Sequence, residues 1–195
     1  MLDASGSVKA DNYLKEKEFI KIVASRYDLE TASRAAVIVF STQASNEVIL
    51  GIKNTSLAFA LAMDDIPYVR GSTRIDLALR LAYDDYFSSE NENATQKLVI
   101  LLTDGKQTRG NSLNPPYIPV ENTTALLRSK SARIFAVAIG QNIDMSDLRT
   151  ITEREEDIFR MTEFNDLVAR ADEISKTSCL GARKSAVSYR LRGIV

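Results

Sequence analysis

Short apolar runs rich in β-branched residues alternate along the chain with longer segments whose apolar positions recur every three or four residues. The runs fall at residues 35–41 (AAVIVFS), 47–50 (EVIL), 97–103 (KLVILLT), 133–140 (RIFAVAIG) and, more weakly, 157–161 (DIFRM). The helical spacing covers residues 12–26, 56–63, 74–86, 120–129, 144–152 and 164–176. Strand and helix in alternation predict an α/β protein: a doubly wound, mainly parallel sheet covered by helices on both faces. The stretch VIVFSTQASNEVIL departs from this rule, because only a few polar residues separate its two runs. That is too short for a helical crossover, so the second run is expected to return as an antiparallel edge strand. Two polar stretches, 88–96 and 107–124, read as loops, and the second is long enough to make contacts of its own.

A chain of 195 residues closes one sizeable core. Residues 1–179 read as one domain and 180–195 as a basic tail or linker, since Arg183, Lys184, Arg190 and Arg192 stand there with no acid. The net charge of −1 supplies no field for capturing nucleic acid, and no run of apolar residues is long enough to insert in a membrane. There is no histidine, which removes Ser-His-Asp and Cys-His catalysis and the usual zinc sites. Cys179 is the one cysteine, so it is either a small half-buried thiol or the partner of a cysteine outside this chain. Three glycosylation sequons begin at Asn54, Asn93 and Asn122, in stretches that read as loops or helix starts, and they tilt the chain toward secretion.

The chemistry-bearing residues are oxygen donors. The chain opens MLDASGS, with Asp3, Ser5 and Ser7 spaced two apart around Gly6. Asp104 ends the central run KLVILLTD, where ligands of an open parallel sheet sit beyond the carboxyl ends of the strands. If Leu2 and Asp3 end a neighbouring strand, Asp3 and Asp104 lie side by side and repel unless a cation stands between them. The stretch RGSTRIDLAL adds Thr73 before a helix. Five oxygen ligands and no nitrogen or sulfur suit Mg²⁺ or Mn²⁺; Ca²⁺, which takes more carboxylates, fits less well.

The segments LDASGS, GSTRIDLAL and VILLTDG resemble, in this order, the three parts of the metal-ion-dependent adhesion site of von Willebrand factor A domains, and the resemblance runs from Leu2 to about Cys179. It implies that Ser5, Ser7 and Thr73 contact the metal directly or nearly so, and that Asp3 and Asp104 act largely through water. An acidic side chain of a partner protein would then complete the coordination. The resemblance therefore implies a divalent-cation-dependent protein-binding adhesion domain, not an enzyme, working between cells and matrix or within matrix. Collagen or another matrix protein is the implied class of partner, and the implied location is extracellular, within a larger secreted parent. Extracellular relatives often carry a cysteine at the place of Cys179, paired with one ahead of the first strand.

Two departures stand out. Ser72, Ile75 and Asp76 replace the second Gly, the second Thr and the last Gly of the family's Gly-Gly-Thr-x-Thr-Gly loop, changing its shape and charge. The family's first strand supplies a full apolar run before its Asp, whereas only Met1 and Leu2 precede Asp3 here. The first strand is thus largely missing, and the chain reads as cut within it. That strand belongs between 35–41 and 97–103, so both neighbours should keep unpaired edges. Rival functions are an intracellular scaffold of the same fold and a Mg²⁺-dependent phosphatase with Asp3 as nucleophile. The second acid of such phosphatases is Ser5 here, and no histidine is present to move a proton.

Overall fold

The computed structural model describes residues 1–88, 96–110 and 112–177. Cys179, the tail 180–195, the Asn93 sequon and most of the 88–96 loop lie outside the described residues.

Among the described residues six strands appear, five of them at the runs expected from the periodicity and one, β1, at the first motif: β1 (Leu2–Asp3), β2 (Val37–Phe40), β3 (Ala44–Val48), β4 (Lys97–Thr103), β5 (Ala132–Ile139) and β6 (Ile158–Met161). β1 pairs parallel with β2, and β2 pairs antiparallel with β3. The other three run parallel in the order β4-β5-β6. Met1 and Leu2 join the two halves. The Met1 amino group donates to the Ile100 carbonyl at 2.7 Å, and the Leu102 amide donates to the Met1 carbonyl at 3.0 Å. β1 therefore lies between β2 and β4, where the sequence places it, and spatial order runs β3-β2-β1-β4-β5-β6.

Strand alternation sends successive side chains to opposite faces and divides the core in two. Val37 and Val39, with Phe135, Val137 and Ile139, pack under α1 (Ala10–Ala24), α2 (Ser56–Asp64) and the helix at residues 166–177, here α6. Ile38 and Phe40, with Ile134, Ala136 and Ala138, pack under α3 (Ile75–Ala82), α4 (Val120–Ser129) and α5 (Met145–Thr152). This is the doubly wound fold with an antiparallel edge.

Two boundaries differ from expectation. The edge strand begins at Ala44, because the turn after Phe40 pairs Phe40 with Ala44 and carries the polar residues Ser45 to Glu47 into the ladder. The apolar run Val48-Ile49-Leu50 mostly leaves the sheet, and Ile49 is 58% exposed. The expected helix 74–86 is α-helical only over Ile75–Ala82 and continues as a wider π turn through Tyr83–Phe87. Asn54 is exposed just ahead of α2, whereas the Asn122 sequon lies in α4 with its Thr124 hydroxyl buried against the Val120 carbonyl.

Candidate metal centre

All three expected motifs emerge at the carboxyl end of the sheet. The first follows β1. The Ala4 amide donates to the Phe40 carbonyl at 2.8 Å and the Gly6 amide to the Gly71 carbonyl at 2.9 Å, tying this turn to the loop that carries Thr73. Tyr68 closes it from the side: its hydroxyl donates to the Ser5 carbonyl at 2.8 Å and accepts from the Lys9 amide at 3.0 Å. The second motif turns at Gly71, whose φ of 124° is closed to most side chains. A Cβ there would stand 2.4 Å from the Thr42 hydroxyl, so the position requires glycine.

The donor atoms converge. Asp3 is fully buried, and its two oxygens accept from the Ser5 amide at 2.8 Å and the Thr103 hydroxyl at 2.7 Å. The Ser5 and Ser7 hydroxyls lie 3.2 Å apart, and Ser7 donates to Asp104 at 2.7 Å. Thr73 enters beside Gly105: a Cβ on Gly105 would stand 3.3 Å from the Thr73 hydroxyl and 3.7 Å from that of Ser7. The glycine after Asp104 thus keeps open the space on which both hydroxyls face. All five residues singled out in the sequence meet at one place.

Both carboxyls of the cluster are raised by burial. Burial pushes the Asp3 carboxyl up to about 6; the hydrogen bonds from Ser5 and Thr103 oppose the rise, and the nearby Asp104 charge adds to it. Asp104 is also pushed up, by burial, against the hydrogen bond from Ser7. A divalent cation reverses this preference by favouring both ionised forms. The donor set is hydroxyl and carboxylate oxygen throughout, which fits a hard cation. Among the described residues no three acidic or cysteine side chains gather as a metal-ligand group.

The departures in the second motif are absorbed. Ser72 donates its amide to the Thr42 hydroxyl at 3.1 Å, Ile75 is buried in the cluster that holds Ile38 and Phe40 of β2, and Asp76 is buried against Arg74 at 2.8 Å. Periodicity carries no signal for Thr103, Tyr68 or Gln107, which position these loops from distant segments. Thr103 alone had a local cue, since it immediately precedes Asp104.

Hydroxyl and carboxylate oxygens from three loops thus gather at the carboxyl end of a doubly wound sheet. The chain matches the von Willebrand factor type A domain over residues 1–173 and belongs to that family. Cuticlin-6 of Caenorhabditis elegans is 26% identical to it over 92% of this chain and 30% of its own length. Matrilin-3 of Gallus gallus is likewise 26% identical, over 92% of this chain and 39% of its own. The chain thus spans between a quarter and two fifths of these relatives. Among solved structures, proximal thread matrix protein 1 from the mussel byssus, described with a zinc-occupied metal-ion-dependent adhesion site, superposes with a TM-score of 0.78 at 28% identity, over 91% of this chain and 44% of that one.

Proposed function

We propose that this domain binds Mg²⁺ or Mn²⁺ through Asp3, Ser5, Ser7, Thr73 and Asp104, and through the cation an acidic side chain of a matrix protein. The observation that carries the reading is the meeting of Ser7, Asp104 and Thr73 beside Gly105. When bound, the cation acts as a Lewis acid that accepts a partner carboxylate. Ser5, Ser7 and Thr73 would supply neutral oxygens, so that only the two carboxylates, Asp3 and Asp104, would offset the charge of the cation. Asp3, held by Ser5 and Thr103, orients the turn and balances charge from below.

The zinc-occupied relative supports a divalent cation at this site, and the cuticlin, matrilin and thread-matrix relatives support an extracellular, matrix-binding role over an intracellular scaffold. The reading assigns no catalytic group. Asp3 is an unsuitable phosphoryl acceptor, because it is buried with both oxygens already hydrogen-bonded.

The test is a thermal melt with and without Mn²⁺ or Mg²⁺. A cation that binds only the folded state stabilises it by about 2.7 kcal/mol when present at roughly 100 times its Kd. Asp104→Ala is expected to abolish that stabilisation while leaving the melt in EDTA cooperative. Equal metal-induced shifts in wild type and variant would overturn the assignment.

A further inference from the structure

Arg74 and Asp76 follow directly after Thr73, and the two are joined in a fork. Arg74 Nε donates to one Asp76 oxygen and Nη2 to the other, each at 2.8 Å. The side chains are 1% and 0% exposed. The pair does not close on itself. Arg74 also donates to the carbonyls of Pro115 at 2.9 Å and Pro116 at 3.2 Å, while Asp76 accepts from the Ile118 amide at 3.0 Å and from Gln107 Nε2 at 2.8 Å. Gln107 completes a ring by accepting from the Asp76 amide at 2.9 Å.

A second set of bonds joins Thr73 itself to the same segment. Its amide donates to the Thr108 hydroxyl at 3.0 Å, and its carbonyl accepts from the Thr108 amide at 2.8 Å. The segment 107–119 thus begins three residues after the metal ligand Asp104, and returns to grip the loop that carries the ligand Thr73. Burial alone would push Asp76 up; the hydrogen bonds from Arg74, Ile118 and Gln107 outweigh it and hold the carboxyl below its ordinary range. A buried ion pair is a costly way to hold a turn, and an apolar pair of similar volume often serves as well. What the pair adds is fixed geometry, since a fork with both oxygens and several carbonyls engaged has one arrangement.

We infer that Arg74, Asp76 and Gln107 are positioning residues that set Thr73 at the metal and couple it to the segment following Asp104, through Gln107, Thr108, Pro115, Pro116 and Ile118. The inference rests on the metal site proposed above. Within the segment, Arg109 stacks 5.5 Å over the Tyr117 ring and pairs with Asp147, which ties the segment to α5 as well. By linkage, a device that couples loop and ligand works both ways: metal binding must order the loop, and loosening the loop must weaken the metal.

The experiment titrates the 195-residue chain with Mn²⁺ by calorimetry and follows hydrogen exchange of segment 107–119 with and without Mn²⁺. Two variants are compared: Gln107→Leu, which leaves the ion pair intact, and Arg74→Met with Asp76→Leu, which removes both charges together so that neither is left buried alone. In wild type, Mn²⁺ is expected to slow exchange at Thr108 and Ile118. In each variant, Mn²⁺ affinity should fall about tenfold or more, as when partners behind metal ligands are lost. The exchange of the loop should then cease to respond to Mn²⁺. Should the double variant fail to fold, Gln107→Leu decides alone. Folded variants that bind Mn²⁺ within about twofold of wild type overturn the inference, and so does reduced affinity with a loop that still responds, because the residues would then act on Thr73 alone. A wild type that takes up no Mn²⁺ sinks the metal site itself and this inference with it.

Discussion

Glu16 shows at the scale of one residue how the carboxylates at the end of the sheet reach into the core. It lies on α1, fully buried, and neither carboxylate oxygen has a hydrogen-bond partner among the described residues. Burial, then the charges of Asp3 and Asp104, push its carboxyl well above the ordinary range, and the Met1 amino group opposes them weakly. A raised carboxyl is worth most to the fold below its unfolded pKa, and that contribution is lost as pH rises through the folded value. Glu16→Met keeps the volume and removes a buried carboxyl with no hydrogen-bond partner, so it should stabilise the protein at neutral pH by about 1–3 kcal/mol. The gain over wild type should shrink as pH falls toward the ordinary glutamate range. Urea melts across pH measure it, and a variant no more stable than wild type at pH 7 would show that Glu16 has a partner in solution.

Helix α2 makes the corresponding point for an element. It is apolar on both sides: Phe59 and Met63 are buried in the core, while Leu57 and Leu61 are 71% and 58% exposed. Its start is secured by the Thr55 hydroxyl, which accepts from the Ala58 amide at 3.0 Å. Composition along this helix therefore does not reveal which face holds the fold. Phe59→Ala should cost about 3–5 kcal/mol through lost burial and the cavity it leaves. Leu61→Lys should shift stability by no more than about 0.5 kcal/mol, as for other exposed positions. Chemical denaturation of the two variants separates these expectations; similar losses in both would mean that the outer face of α2 is covered.

For the whole molecule, the decisive feature is that the sheet is two three-stranded halves joined through β1. Leu2 is fully buried at that seam, and the next residue is Asp3, a proposed ligand. The proposed ligands also straddle the seam, since Thr73 enters from the loops beyond β3 and Asp104 from β4. Leu2→Ala should cost about 2–5 kcal/mol, and because the same backbone carries Asp3, Mn²⁺ affinity should fall with it. Mn²⁺ should in turn recover part of the lost stability. A variant destabilised to this extent with unchanged Mn²⁺ affinity would separate the seam from the site.

The amino-acid sequence by itself determined the doubly wound architecture and the three oxygen-bearing motifs that follow its strands. Each is written locally, in a hydrophobic period of two or of three to four or in short motifs beyond strand ends. The tertiary structure alone decided which polar groups meet. Thr103 reaches Asp3 from 100 positions away, Tyr68 closes the first turn from 63, and Gln107 engages Asp76 from 31. It also decided that Asp76, a departure from the family's glycine, is half of a buried pair, and that the edge strand starts with polar residues rather than with the apolar run after it. The physical reason is the same throughout. Hydrophobic patterning records which face of an element loses water, whereas the partner of a buried hydroxyl, amide or carboxylate depends on directional contacts between segments that only the folded chain brings together.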